Sequence, residues 1–521
     1  MKCPWRIAAI VCLVLSGCRP RETGSDRILK LRLAEDPSTL DPAFIVDVPG
    51  GALSAKIYNG LVRFDSDGKV VPDLASSWEI SPDGKKYRFH LREGVKFHNG
   101  RPLEAQDAVY SWSRLLDPAV ASPRDWLLQG VKGARDFQEG KTREISGIRT
   151  EAPRTVAVEL EEPSPLFLSM LAMPNASIVP REEVEKWGRS FADHPSGTGP
   201  FLLREWKHGE RIELAANPEY YRGSPKIAGV LYRVIPEDLT AAVEFEGGNL
   251  DLLEIPRAEF RKYTTREPWK ERVRDRVGLN VYYLGFNCQT APYSDPRFRR
   301  ALNLALDRKK IIATILEGRA VAAAGPVPPE LLPSSPPAYP YDPEEAKRLL
   351  KECGIPLPFP ARLILKADRE VLTIAEVIQD YFRRVGVELV LVQREWSAFK
   401  EAVNTGDFDL FYLSWWGDYP AAENFLYPTF HSSQWGAGGN RARFQDPAVD
   451  LVLDRARRET SPEESRRLFS EAEERVVESA PWVFLWHKKE YFVFSPRVRN
   501  YRIPVIYNGD RFEEIELVNG E

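Results

Sequence analysis

Between Lys85 and Gly100 the chain alternates, with Tyr87, Phe89 and Leu91 on one side and Arg88, His90 and Arg92 on the other. A period of two with one apolar set predicts a strand resting on a core by one face and wetted on the other. Pro102 then opens LEAQDAVYSWSRLL, in which Ala105, Ala108, Val109 and Trp112 recur at helical spacing, so a helix follows the strand. From Ser294 the pattern changes. Asp295 caps, Pro296 starts a helix, and Phe298, Ala301, Leu302, Ala305 and Leu306 form its apolar stripe. Asp342-Pro343 repeats the device before EEAKRLLKEC, which Gly354 ends. The segments ARLILKA, VLTIAEVIQDYFRR, VELVLVQ, WSAFKEAVNTG and FDLFYL follow in that order. They read as β-α-β-α-β, which predicts parallel strands joined by right-handed crossovers.

The order of elements gives SWWGDYP, residues 414–420, its meaning. In open parallel sheets ligands collect outside the carboxyl ends of the strands. Trp415, Trp416 and Asp418 lie just past the end of FDLFYL, and Trp396 lies just past the end of VELVLVQ. The prediction is a rim where three indoles and one carboxylate converge. Core indoles with Asp418 capping a turn are the structural alternative. Two further aromatic segments, NVYYLGFN (280–287) and PWVFLWHKKEYFVFS (481–495), bracket the β-α-β region and suit crossing strands that act as a hinge between two lobes.

Composition changes the picture in three places. With 521 residues the chain exceeds one core, and its net charge of -4 provides no basic footprint for nucleic acid. Lys2 and Arg6 precede the apolar run Ile7–Leu15, which ends in Leu15-Ser16-Gly17-Cys18, so a secretory signal of residues 1–17 is expected. These four residues resemble a bacterial lipobox, which implies lipid on Cys18 and a polar tether over 18–27. Of the remaining cysteines, Cys288 and Cys353 are expected to stay unpaired, although an extracytoplasmic compartment permits a bridge.

An enzyme is the competing reading from another class, a secreted hydrolase being its obvious form, but neither G-x-S-x-G nor H-E-x-x-H occurs. The six histidines are scattered, with none spaced as on a metal-binding helix face, and are read as surface or satisfied core residues. Gly197-Thr198-Gly199-Pro200 lacks the lysine of a phosphate loop and reads as a turn.

SWEISPDGKKYRFHLREGVKFHNGRPLEAQDAVYSWSRLLDP, SGTGPFLLREW with NPEYYRG, APYSDPRFRRALNLALDRKKII and WWGDYP, in this order, resemble the extracytoplasmic peptide-binding proteins of ABC importers. The branch is the oligopeptide-binding one of solute-binding protein family 5. The resemblance runs from about Leu29 to the last residues. It implies an α/β, two-lobed periplasmic-binding-protein fold of type II with an extra subdomain and two crossing hinge strands. Lobe I would comprise 28–62, 185–283 and 488–521, the subdomain 63–184, and lobe II 284–487. It implies a monomer without cofactor or metal that binds peptide, serves a membrane-embedded permease and sits in the periplasm or on the cell surface.

By the same resemblance Asp418 pairs with the ligand's α-amino group, Trp415, Trp416 and Trp396 wall its side chains, and Val46 to Val48 form a short β-pairing stretch. Val403 and Tyr412 stand where relatives carry arginines for the peptide's carboxyl end, so no basic partner for that end is evident. Asn280 and Trp416 stand where some relatives have a disulfide. Arg124 replaces an aromatic ring that a relative presents to ligand; it meets an anionic ligand group or points to solvent, and solvent is the reading adopted. Relatives that bind nickel, haem or oligosaccharide, and receptors that signal without transport, supply the alternatives.

Overall fold

In the computed structural model, residues 27–332, 336–436 and 439–518 are described. The signal segment, Cys18 and the tether up to residue 26 lie outside them. The fold is the two-lobed type II arrangement of the family described below, built on three main sheets. In the first, Ile28–Leu33 runs parallel to Gly229–Val234, with Arg211–Ala216 and Phe201–Lys207 added antiparallel. Its core gathers Leu29, Leu31, Ile57, Phe191, Phe201 and Ile212.

The second sheet holds the alternating strand Lys86–Leu91, whose Tyr87, Phe89 and Leu91 are buried, between Ala75–Ile80 and Thr155–Glu159. The helix after it is Ala105–Leu116, three residues later than Pro102 suggested. Asp107 decides the start by accepting the N–H of Glu104 at 2.9 Å, while Pro102 is held in a bridge with Lys96.

The third sheet contains the predicted β-α-β-α-β unit. Phe359–Lys366 lies between Val387–Arg394 and Leu410–Trp416, all parallel, and the crossovers are Arg369–Arg384 and Trp396–Thr405. The side chains of Asp295, Asp342 and Asp368 each accept a first-turn N–H, which fixes three of the lobe's helix starts. Leu410–Trp416 pairs antiparallel with Asn280–Phe286, and that strand pairs antiparallel with Trp482–Phe494.

Trp482–Phe494 is one strand of 13 residues serving two neighbourhoods. Its first half pairs with Asn280–Phe286, Ala320–Ala322 takes the middle, and Val273–Val277 with Leu252–Glu254 take the second half. Two turns early in the chain also meet residues far along it. A Cβ on Gly68 would reach Pro420 at 3.0 Å and one on Gly84 would reach the methyl of Thr460 at 2.7 Å. Cys288 and Cys353 are both free, and burial pushes the Cys288 thiol up to about 11.

Candidate functional site

Asp418 is placed by a short chain of constraints. Leu410–Trp416 ends beside Asn280–Phe286, and the N–H of Gly417 donates to the carbonyl of Leu279 at 2.9 Å. A Cβ at Gly417 would come within 3.0 Å of the Phe425 ring, so a larger residue would push the turn outward. The N–H of Asp418 donates to Oδ1 of buried Asn424 at 2.9 Å, and Trp415 Nε1 donates to the carbonyl of Asn424 at 2.8 Å. Behind them the Tyr419 hydroxyl donates to Glu423, which also accepts from Arg457 Nε at 3.0 Å. These bonds fix the turn, and the carboxylate it carries faces Arg124.

That carboxylate is 36% exposed and meets one cation among the described residues, Arg124 Nη1 at 3.5 Å. Burial raises the pKa of Asp418 above the ordinary carboxylate value, and Arg124 acts in the opposite direction. Arg124 does not point to solvent, in contrast to the expectation above. Its side chain is 19% exposed and its Nε donates to the carbonyl of Ile45 at 3.4 Å. Its own N–H donates to Ser122 Oγ at 3.1 Å, and Ser122 in turn donates to the carbonyl of Ala43 at 2.6 Å. Asn175 holds the same loop through the carbonyls of Pro42 and Ile45. Tyr507 lies in the same neighbourhood: its ring packs on Gly51, and burial followed by the charge of Asp418 raises its phenol pKa.

Val46 and Val48 are exposed on this loop, but they are not one extended stretch. Asp47 is extended and caps a helix that begins at Val48, with Oδ1 accepting from Gly50 N at 2.7 Å. Only the chain up to Asp47 can pair as a strand.

The indoles share an edge without forming a single wall. Trp415 and Trp416 are successive strand residues and face opposite sides; Trp415 is tied to Asn424, while Trp416 is exposed opposite Asn280. Trp396 stacks near Phe399 and lines a separate cavity of about 240 Å³ with Tyr282, Tyr412, Ser414 and Trp486. Arg319, Lys366 and Lys488 also line it, facing Asp368 and Glu370. Sequence reasoning missed these three bases. Lys366 could have been found, since it ends a parallel strand; Arg319 and Lys488 reach the cavity only through the crossing strand and its Ala320–Ala322 neighbour. Val403 is buried outside the lining of this cavity, and Tyr412 lines it.

The histidines near these segments are occupied. His98 bonds the carbonyl of Gly199 at 3.0 Å and His487 the carbonyl of Asn280 at 2.6 Å, and burial lowers both to about 4. Among the described residues no group of three His, Cys, Asp or Glu could hold a metal ion, and no helix is long and apolar enough to cross a membrane.

Two lobes joined by crossing strands, with a rigidly carried charge between them, define a solute-binding protein. The chain belongs to the bacterial extracellular solute-binding proteins, family 5, whose model matches residues 69–437. It is 32% identical to heme-binding protein A of Haemophilus influenzae, over 90% of this chain and 88% of that one. It is 30% identical to the probable di/tripeptide-binding protein 5 of Pseudomonas aeruginosa, over 86% and 87%. Among solved structures it is similar to the murein tripeptide-binding protein MppA in its unliganded open form, with TM-score 0.83, 27% identity and coverage of 95% and 98%.

Asn424→Ala should remove the acceptor for the buried N–H of Asp418 and cost about 1–3 kcal/mol of stability. A lowered urea midpoint with unchanged slope is the expected reading; an unchanged midpoint would mean that the turn does not depend on Asn424.

Proposed function

We propose that this protein is a lipid-anchored extracytoplasmic receptor that captures peptides, oligopeptides above all, by their free N-terminus and delivers them to the permease of an ABC importer. The observation that carries this reading is the half-buried carboxylate of Asp418, held by its backbone on a hydrogen-bonded turn and left with one cation, Arg124, at the long distance of 3.5 Å. A carboxylate so placed is well compensated by an ammonium that donates charge-assisted hydrogen bonds, and a peptide's first residue brings one. An extended peptide would add main-chain hydrogen bonds along the loop at Val46, ahead of the helix that starts at Val48. Trp415, Trp416 and Trp396 would pack against successive side chains from the two faces of the strand, and Lys488 would offer the cavity a cation for a carboxylate, since Arg319 faces Glu370 at 3.8 Å and Lys366 faces Asp368 at 3.4 Å.

The relative in Pseudomonas aeruginosa is named for di- and tripeptides, and a similar solved structure, the OppA of Haemophilus influenzae at 25% identity, is a complex with RPPGFSPFR. The heme-binding relative supports a second solute class. The cavity beside Trp396 would offer an iron Tyr282 or Tyr412, with no His, Cys or Met in its lining. Native mass spectrometry of the purified protein separates the two: peptide ladders support the first reading, and a haem adduct would replace it.

Asp418→Ala should weaken binding of a free peptide by about 2–5 kcal/mol, the scale of a truncated desolvated charge pair, or more than tenfold in Kd. N-acetylation of the same peptide should cost the wild type as much and the variant little. Calorimetry on the four combinations checks it, and equal affinity of the wild type for free and acetylated peptide would remove the role of Asp418.

In this reading lobe I comprises residues 28–62, 185–283 and 488–521, its subdomain 63–184, and lobe II 284–487. The lobes would close about the strands near Tyr282 to Phe286 and Val483 to His487. A ligand gripped from both sides favours the closed form by its differential contacts. Small-angle scattering should therefore show a smaller radius of gyration with bound peptide, and superimposable profiles with verified occupancy would exclude closure.

Membrane attachment rests on Cys18. Cys18→Ser should leave the precursor unprocessed or release the protein from membranes on fractionation, whereas a variant still cleaved and membrane-bound would show that the lipid is elsewhere.

A further inference from the structure

Arg124 is placed on the opposite side of the cleft from Asp418 as firmly as Asp418 is placed on its own. Its Nε lies on the carbonyl of Ile45, its N–H on Ser122 Oγ, and its Nη1 is 3.5 Å from Asp418 Oδ1. A guanidinium carries five N–H donors and keeps its charge at any physiological pH. The contacts seen here use two of the side-chain donors. Asp47, the other carboxylate of this neighbourhood, is committed to the N–H of Gly50 and to Ser38. Arg124 therefore has Asp418 as its single counter-ion among the described residues.

This inference rests on the reading that a ligand ammonium binds Asp418. When it does, Arg124 loses that counter-ion and finds a second positive charge in its place, in a partly buried setting where like charges repel more strongly than in water. A ligand with a neutral first residue leaves this arrangement uncorrected. A ligand that carries a carboxylate a few bonds from its ammonium corrects it, because the two protein charges are themselves only 3.5 Å apart. We propose that Arg124 is a specificity-determining residue that selects peptides whose first residue is acidic, the ammonium taking Asp418 and the side-chain carboxylate taking the guanidinium. The arginine now beside Asp418 is also a plug that a ligand ammonium must displace.

The test offers the purified full chain a mixed-length tryptic peptide digest and identifies the retained peptides by mass spectrometry. It then measures by calorimetry two synthetic peptides that differ only in Asp or Asn at the first position. Acidic first residues should be enriched about tenfold over the input, and the Asp peptide should bind about tenfold more tightly than the Asn peptide. In Arg124→Leu, shown to be folded by an unchanged urea midpoint, that ratio should collapse to about one, and the Asn peptide should bind more tightly than it does to the wild type because the plug is gone. No enrichment, or a ratio that survives the loss of Arg124, overturns the proposal. If retained peptides still require a free amine but show no acidic preference, this inference fails while the peptide reading stands. If acetylation makes no difference, or if no peptide is retained, both fail.

Discussion

The strand Trp482–Phe494 has to satisfy the hydrogen bonds of two different neighbourhoods without interruption, and the placement of the site follows from how it does so. Every backbone N–H and C=O along it needs a partner once buried. The ladder with Asn280–Phe286 slips its register between Tyr282 and Tyr283, where the carbonyl of the skipped Leu485 accepts from the N–H of Ala323 at 3.2 Å, and beyond the last paired residues the side chain of Asn280 takes over. Its Oδ1 accepts from the N–H of Lys488 at 2.7 Å and its Nδ2 donates to the carbonyl of the same residue at 3.2 Å. The backbone carbonyl of Asn280 accepts from His487 Nδ1, which fixes the ring's tautomer, and burial keeps that ring neutral down to about pH 4. Asn280 also faces Trp416 in the next strand, so the same residue sets where Gly417 turns and where Asp418 emerges.

Much of this was legible in the residues, and for physical reasons. Periods of two and 3.6 report which face is buried, so the strand of Tyr87, Phe89 and Leu91 and the helices behind Asp295 and Asp342 emerge directly. The parallel strands followed from element order, and the rule that ligands gather at their carboxyl ends was enough to single out Asp418 and Trp396. The helix after Pro102 began late because a capping box is a specific bond and a proline is only a permission. The wall of three indoles failed on the pleat: adjacent strand residues cannot share a face, and Trp415 and Trp416 are adjacent.

The resemblance put Arg124 beside the ligand, but its contact with Asp418 was not legible. Nothing in ASPRDW tells that this arginine will meet a carboxylate far along the chain, because the contact is made by the docking of two bodies and has no local period or spacing. The bases of the cavity divide along the same line. Lys366 ends a strand and could be placed by topology, whereas Lys488 owes its position to the crossing strand, where a single slipped residue changes which side chains face inward.

The charges of this protein are not all of one kind, and the difference separates architecture from site. Arg114 grips Asp41 with two nitrogens at 2.6 and 2.7 Å, both groups nearly buried, in a geometry that uses what each can give. Asp73 is wholly buried, which works against its charge, yet Arg511 and Arg63 with bonds from Tyr221 and Asn59 bring its pKa below the ordinary value. Asp418 shows the opposite balance. Burial raises its pKa and Arg124, touching at one point and at 3.5 Å, does not bring it back. A fold that could close the geometry of Asp41 and Asp73 has left Asp418 and Arg124 each with unused bonding capacity at 3.5 Å. A pair in that condition costs less to separate than the pairs of Asp41 and Asp73, which is the condition that the proposed capture of a ligand by both charges requires.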